Sequence, residues 1–107
     1  RRQRQMCIRD RYTLGDRALE REVLGLFVDQ IPQTLEALDT AESDADRVRA
    51  AHTLKGSARA VGAFRLADIA ERLERDIREG RSIAGPRQEL DGACREVRGA
   101  IIAATAA

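Results

Sequence analysis

No tryptophan occurs in this chain, aromatic residues make up only 3% of it, and it holds a single histidine. The two cysteines, Cys7 and Cys94, stand far apart with no C-x-x-C or Cys/His spacing. A zinc site or a disulfide framework is therefore excluded as an organising device. Long apolar runs are also missing: the longest is the Ala-rich stretch from Ala100 to Ala104, far short of the roughly 20 residues that span a bilayer. No apolar segment of signal-peptide type follows the basic N-terminus, so the expected location is the reducing cytoplasm. The chain has no Walker A motif, no Gly-rich nucleotide loop and no acidic cluster suited to Mg²⁺, which excludes ATP binding and argues against a kinase.

What is present favours helices. Hydrophobic residues reach 43% and charged residues 35% over 107 positions, enough for one core in one small domain with well-solvated faces. Ala, Leu, Arg and Glu dominate, and these are strong helix formers. The net charge of +1 is misleading. Residues 1–11, RRQRQMCIRDR, match a translated sequencing-library adaptor over ten complete codons, and carry five Arg against one Asp. Set aside as non-native, they leave residues 12–107 at a net charge of −3, with Cys94 as the only thiol. The same reading implies a frame truncated upstream. A basic nucleic-acid-binding arm is the competing interpretation of this segment, and it falls with the adaptor match.

From Thr13 the chain reads as a succession of helices. Thr13 and Asp16 fit a capping-box start, followed by Leu19, Val23, Leu26 and Phe27 at helical spacing. Pro32 breaks or bends this run, and Leu35 and Leu38 extend its apolar face to about Thr40. Ser43 to Asp46 repeats the capping pattern before a helix over 44–61 that stops at Gly62. The next covers 64–79, with Leu66, Ile69, Leu73 and Ile77 on one stripe and Gly80 as its stop. Gly85-Pro86 opens the last, whose stripe is Leu90, Cys94, Val97, Ile101 and Ala104. All these stripes read as core. Short connections make successive helices antiparallel. The expected fold is all-α: an up-down four-helix bundle with an additional N-terminal helix across one end.

The segment AHTLKGSARAVG, Ala51 to Gly62, carries the chemistry. At about 100° per residue, Ala51, Leu54, Ala58 and Val61 share one side, and His52, Lys55, Gly56 and Arg59 the other. A lone histidine is by itself incidental, but three neighbours change that reading. Gly56 sits mid-helix, where it costs roughly 0.5–1 kcal/mol relative to alanine. It lies four residues after His52, where a side chain would shade the imidazole. Lys55, at i+3, can bring an ammonium to an anion on the ring. Small residues (Ala51, Thr53, Ser57, Ala58, Ala60) leave the ring proud of a flat surface.

His52-Thr53-Leu54-Lys55-Gly56-Ser57 resembles the H-x-[LI]-K-G-[SA] motif of histidine-phosphotransfer (HPt) domains, the match continuing through ADIAERLE at 67–74. The resemblance implies a helical bundle in which His52 is phosphorylated at Nε2 and exchanges phosphoryl groups with receiver-domain aspartates. It implies phosphate stabilisation by Lys55 and partner access over Gly56. The partners implied are response-regulator receiver domains and a histidine or hybrid kinase, with no nucleic acid and no membrane insertion. No cofactor is expected, any Mg²⁺ residing on the receiver. A neutral imidazole, titrating near pH ~6.5 when unperturbed, is a competent nucleophile toward an acyl phosphate.

One further residue follows from register. The turn near Ala63 lies 11 residues after His52, and Glu74 lies 11 residues after Ala63, so an antiparallel hairpin returns Glu74 to the height of His52. Glu74 is thus a candidate to accept Nδ1–H and fix the tautomer that leaves Nε2 free. A solvated Glu74 paired with Arg78 at i+4 stands as the alternative. At the level of function, a chemotaxis-kinase phosphotransfer domain and a never-phosphorylated helical docking module are the alternatives to a phosphorelay intermediate.

Overall fold

The computed structural model of the protein describes residues 17–106. Four helices follow one another: α1 Arg17–Thr40, α2 Asp44–Val61, α3 Phe64–Arg78 and α4 Ala84–Thr105. Each packs on its sequence neighbour, and α4 closes the ring on α1. This is the all-α bundle expected of the sequence. The additional N-terminal helix, the Thr13/Asp16 cap and the adaptor-like segment all fall outside the described residues.

The punctuation works as its chemistry dictates. Ser43 caps α2, its hydroxyl accepting the Asp46 amide at 3.1 Å. Gly62 takes φ 83°, the left-handed region that L-residues with a Cβ avoid, and its N–H turns back onto Ala58 and Arg59 carbonyls. That single residue ends α2 and lets α3 begin two positions later, forming a tight antiparallel hairpin. Pro86 sits in the first turn of α4, where its missing N–H costs nothing. Pro32 does not break α1, which runs through it for 24 residues. The apolar face on both sides of the proline, Leu24, Phe27, Ile31 and Leu38, stays anchored in the core and holds the helix together.

The core is aliphatic, centred on Leu24, Leu66, Leu73, Leu90 and Val97. Between α2 and α3 it is built from alanine: Ala51, Ala58, Ala67 and Ala70 are all buried there. Small side chains permit a close approach of helix axes, and this pair has the most extensive contact in the bundle. At the far end Arg87 forks onto both carboxylate oxygens of Asp39 at 2.8 and 2.7 Å, tying the start of α4 to the end of α1. Among the described residues the buried carboxylate of Glu20, in the first turn of α1, leaves Oε2 without a hydrogen-bond partner.

The stripe expectation fails at two positions. Leu19 and Leu26 are 53% and 63% exposed, not core. The buried line of α1 runs instead through Glu20, Leu24, Phe27 and Ile31, rotated away from them by about a third of a turn.

Candidate functional site

The α2–α3 hairpin places the site at mid-height. Gly62 reverses the chain, the alanine interface draws the helices together, and equal lengths on either side bring Glu74 level with His52. His52 is 64% exposed, while Glu74 is withdrawn to 4%. Nδ1 of His52 lies 3.3 Å from Oε2 of Glu74. The imidazole therefore turns one nitrogen toward a buried carboxylate and leaves Nε2 on the solvent side.

Two cations converge on the same carboxylate. Lys55 Nζ lies 2.9 Å from Oε1, and Arg78 Nη1 lies 2.8 Å from Oε2. Both readings of Glu74 left open by the sequence are therefore realised together: it meets His52 across the hairpin and Arg78 along its own helix. Burial alone would push the Glu74 carboxyl up. The hydrogen bond and charge of Lys55, with the charges of Arg78 and His52, outweigh burial and hold it below its ordinary value.

Lys55 departs from the expected orientation. The helical wheel sets it on the solvent side with His52, yet its side chain is only 15% exposed. Its position on the wheel is at the edge facing α3, and the buried carboxylate draws the ammonium across that edge. It is also the only lysine in the chain, all other basic positions being arginine. Arg78 is the member that sequence reasoning placed only in the alternative reading. Its i+4 spacing from Glu74 was the available signal.

Gly56 is exposed, and a Cβ built on it would meet nothing within 4 Å. Packing inside the chain gives no reason for a glycine here. The outer edge of α2, formed by Arg49, His52, Gly56 and Ala60, is exposed throughout. The arrangement holds an imidazole in the open, on a carboxylate it shares with two cations, over a low surface.

A protein-family model described as the Hpt domain matches residues 22–106. The chain belongs to the Hpt domain family. No curated protein and no solved structure matches it. Membership carries histidine phosphotransfer within a phosphorelay as the general activity, that of a transfer module and not of a kinase. Receiver domains and kinases are the corresponding partner classes. No described helix of this Hpt domain is long and apolar enough to cross a membrane.

Proposed function

We propose that this Hpt domain relays phosphoryl groups between receiver-domain aspartates through Nε2 of His52. The observation that carries the proposal is the placement of His52 Nδ1 against the buried Glu74 carboxylate. With its proton kept on Nδ1, the ring presents the Nε2 lone pair to a partner. Nε2 attacks the phosphorus of an aspartyl phosphate, the N–P bond forms as the P–O bond to the aspartyl carboxylate breaks, and that carboxylate leaves as the anion. No proton needs to move during the step. The reverse reaction passes the group to another receiver.

Transfer of this kind depends on position and charge neutralisation more than on acid–base machinery. Lys55 and Arg78, both held by Glu74 beside the ring, supply cations for the incoming oxygens. Gly56 keeps the approach open. Mg²⁺ acts on the receiver's side of the interface.

The test uses a receiver domain prephosphorylated with acetyl phosphate. The wild-type chain acquires acid-labile phosphate, and a His52→Gln variant acquires none while keeping its helical circular dichroism. Label persisting on the variant would move the acceptor elsewhere. Absence of label on wild type across a panel of receivers would favour a docking module.

A further inference from the structure

Across the ring of helices from the α2–α3 hairpin, the core does not close. α1 and α4 make the slightest contact of the four neighbouring helix pairs, and a cleft of about 200 Å³ opens along their seam. Its apolar walls are Val28, Ile31, Pro32 and Leu35 from α1 and Cys94 from α4. Ile31 and Cys94 are buried, and Val28 and Leu35 are half-buried against the core. Cysteine is short for its place on the α4 stripe, and it leaves open a space that a leucine would enter. Burial pushes its thiol up to about 11, so this wall is uncharged at neutral pH.

The mouth of the cleft carries charge of one sign. Arg95 and Arg98 line it from α4 and have no ion pair among the described residues. Asp91, the one carboxylate of the lining, is bound by Arg87 at 2.5 Å. Two guanidiniums therefore stand over an apolar floor, and the nearby carboxylate is already neutralised.

Size and charge together fix the class of occupant. An apolar cavity of about 150 Å³ takes benzene, so this cleft has room for a chain of roughly eight carbons. It is smaller than the roughly 300 Å³ at which pockets for drug-sized ligands begin, which leaves no room for a nucleotide. Guanidiniums recognise carboxylates through paired, charge-assisted hydrogen bonds. A hydrocarbon without charge would leave both arginines unused. A small anion without a chain would leave the apolar floor wet.

We propose that the α1–α4 cleft binds a small amphipathic carboxylate. Its chain, of roughly eight carbons, lies against Val28, Ile31, Leu35 and Cys94, and its head is held by Arg95 and Arg98. The site is independent of the phosphotransfer reading of His52, which belongs to the seam across the bundle. The ligand joins α1 to α4 where the ring of helices is least joined, so it stabilises the folded domain by mass action.

The experiment titrates octanoate, octanol and butyrate into the isotope-labelled chain and follows its amide NMR signals. Octanoate should shift the amides of Val28, Leu35, Cys94 and Arg98 with a Kd of about 1 mM or below, and leave those of His52 and Lys55 in place. Octanol keeps the chain and loses the charge, so it should bind at least tenfold more weakly. Butyrate should not saturate. Arg95→Gln/Arg98→Gln should reduce octanoate to the affinity of octanol and leave octanol unchanged. Cys94→Leu should keep its helical circular dichroism and bind neither; the arginine variant decides by itself where Cys94→Leu does not fold. Absence of a saturable shift overturns the site, as do shifts scattered over arginines elsewhere. Equal binding of octanoate and octanol, or an arginine variant that matches wild type, overturns the carboxylate assignment. Sedimentation of the chain alone adds a check: a dimer that octanoate dissociates would give the cleft to a second copy and overturn the proposal.

Discussion

Arg78 and His52 meet the same atom: Oε2 of Glu74 lies 2.8 Å from the guanidinium and 3.3 Å from the imidazole Nδ1. One buried carboxylate thus faces the imidazole and holds a cation beside it. Replacing Glu74 with Ala should remove both effects and slow phosphotransfer about tenfold, in the range found when a group that orients a reactive imidazole is lost. Glu74→Gln keeps an acceptor for Nδ1–H and should retain more of the rate. Single-turnover transfer measured on the three proteins checks this. A Glu74→Ala domain that matches wild type would leave Glu74 with a structural role only.

Lys55 is the main counter-charge of that carboxylate, at 2.9 Å and largely buried. Its loss therefore reaches the fold as well as the chemistry. Lys55→Ala should destabilise the domain by about 1–3 kcal/mol, less than the usual cost of stripping a buried charge because Arg78 still serves Glu74. Glu74→Gln should rescue much of that loss, since the uncompensated charge is then gone. Urea unfolding of both single variants and the double variant gives the coupling directly. Additive effects would mean that the 2.9 Å contact contributes nothing to stability.

The helices and their ends were legible in the sequence because each boundary has a local chemical cause. Ser43 offers its hydroxyl, Gly62 accepts a positive φ, and both act on neighbours a few positions away. The level match of His52 and Glu74 was legible for the same reason, since it depends only on counting residues from a tight turn. Periodicity could not say how far around α1 the core reaches. Leu19 and Leu26 lie at helical spacing, but α2 and α4 cover a different arc of the helix, and that arc is set by the packing of the whole bundle. The fate of Lys55 was hidden likewise: a wheel gives the direction of a Cβ, while four further rotatable bonds and a buried carboxylate on another helix decide where the ammonium goes.

Acid should weaken the fold through Glu74. Its carboxyl is held below its ordinary value in the folded domain, whereas in the unfolded chain it titrates near ~4.3. A group of this kind stabilises the fold while ionised, so its contribution is complete above the unfolded value and is lost as pH falls through the folded one. Asp39, lowered chiefly by its hydrogen bond with Arg87, contributes with the same sign. Urea midpoints should thus hardly change from pH 7 to pH 5 on account of these groups, and should drop on going to pH 3. The Glu74→Gln variant should start less stable at pH 7 and lose less by pH 3. An equal acid loss in variant and wild type would place the effect on other carboxylates.

Gly56 separates folding from partner access more cleanly than any other residue of the site. It is exposed on the outer edge of α2, four residues after His52, and a Cβ there meets nothing within 4 Å. A larger side chain therefore fits the folded domain without strain. Leucine also restores the helix propensity that glycine forfeits, so Gly56→Leu should raise stability by roughly 0.5–1 kcal/mol. The same side chain would stand beside the imidazole, in the path that a receiver must take to reach Nε2. Transfer should fall at least tenfold, because a misplacement of about 1 Å at the reacting centre already costs about 10²-fold. Gly56→Ala, with a single methyl, should show nearly the same gain in stability and a much smaller loss of transfer. Measuring unfolding and transfer on both variants tests the two halves together. A Gly56→Leu domain that is less stable than wild type would mean that the glycine serves the helix. One that is more stable and transfers normally would mean that the receiver approaches His52 from another side.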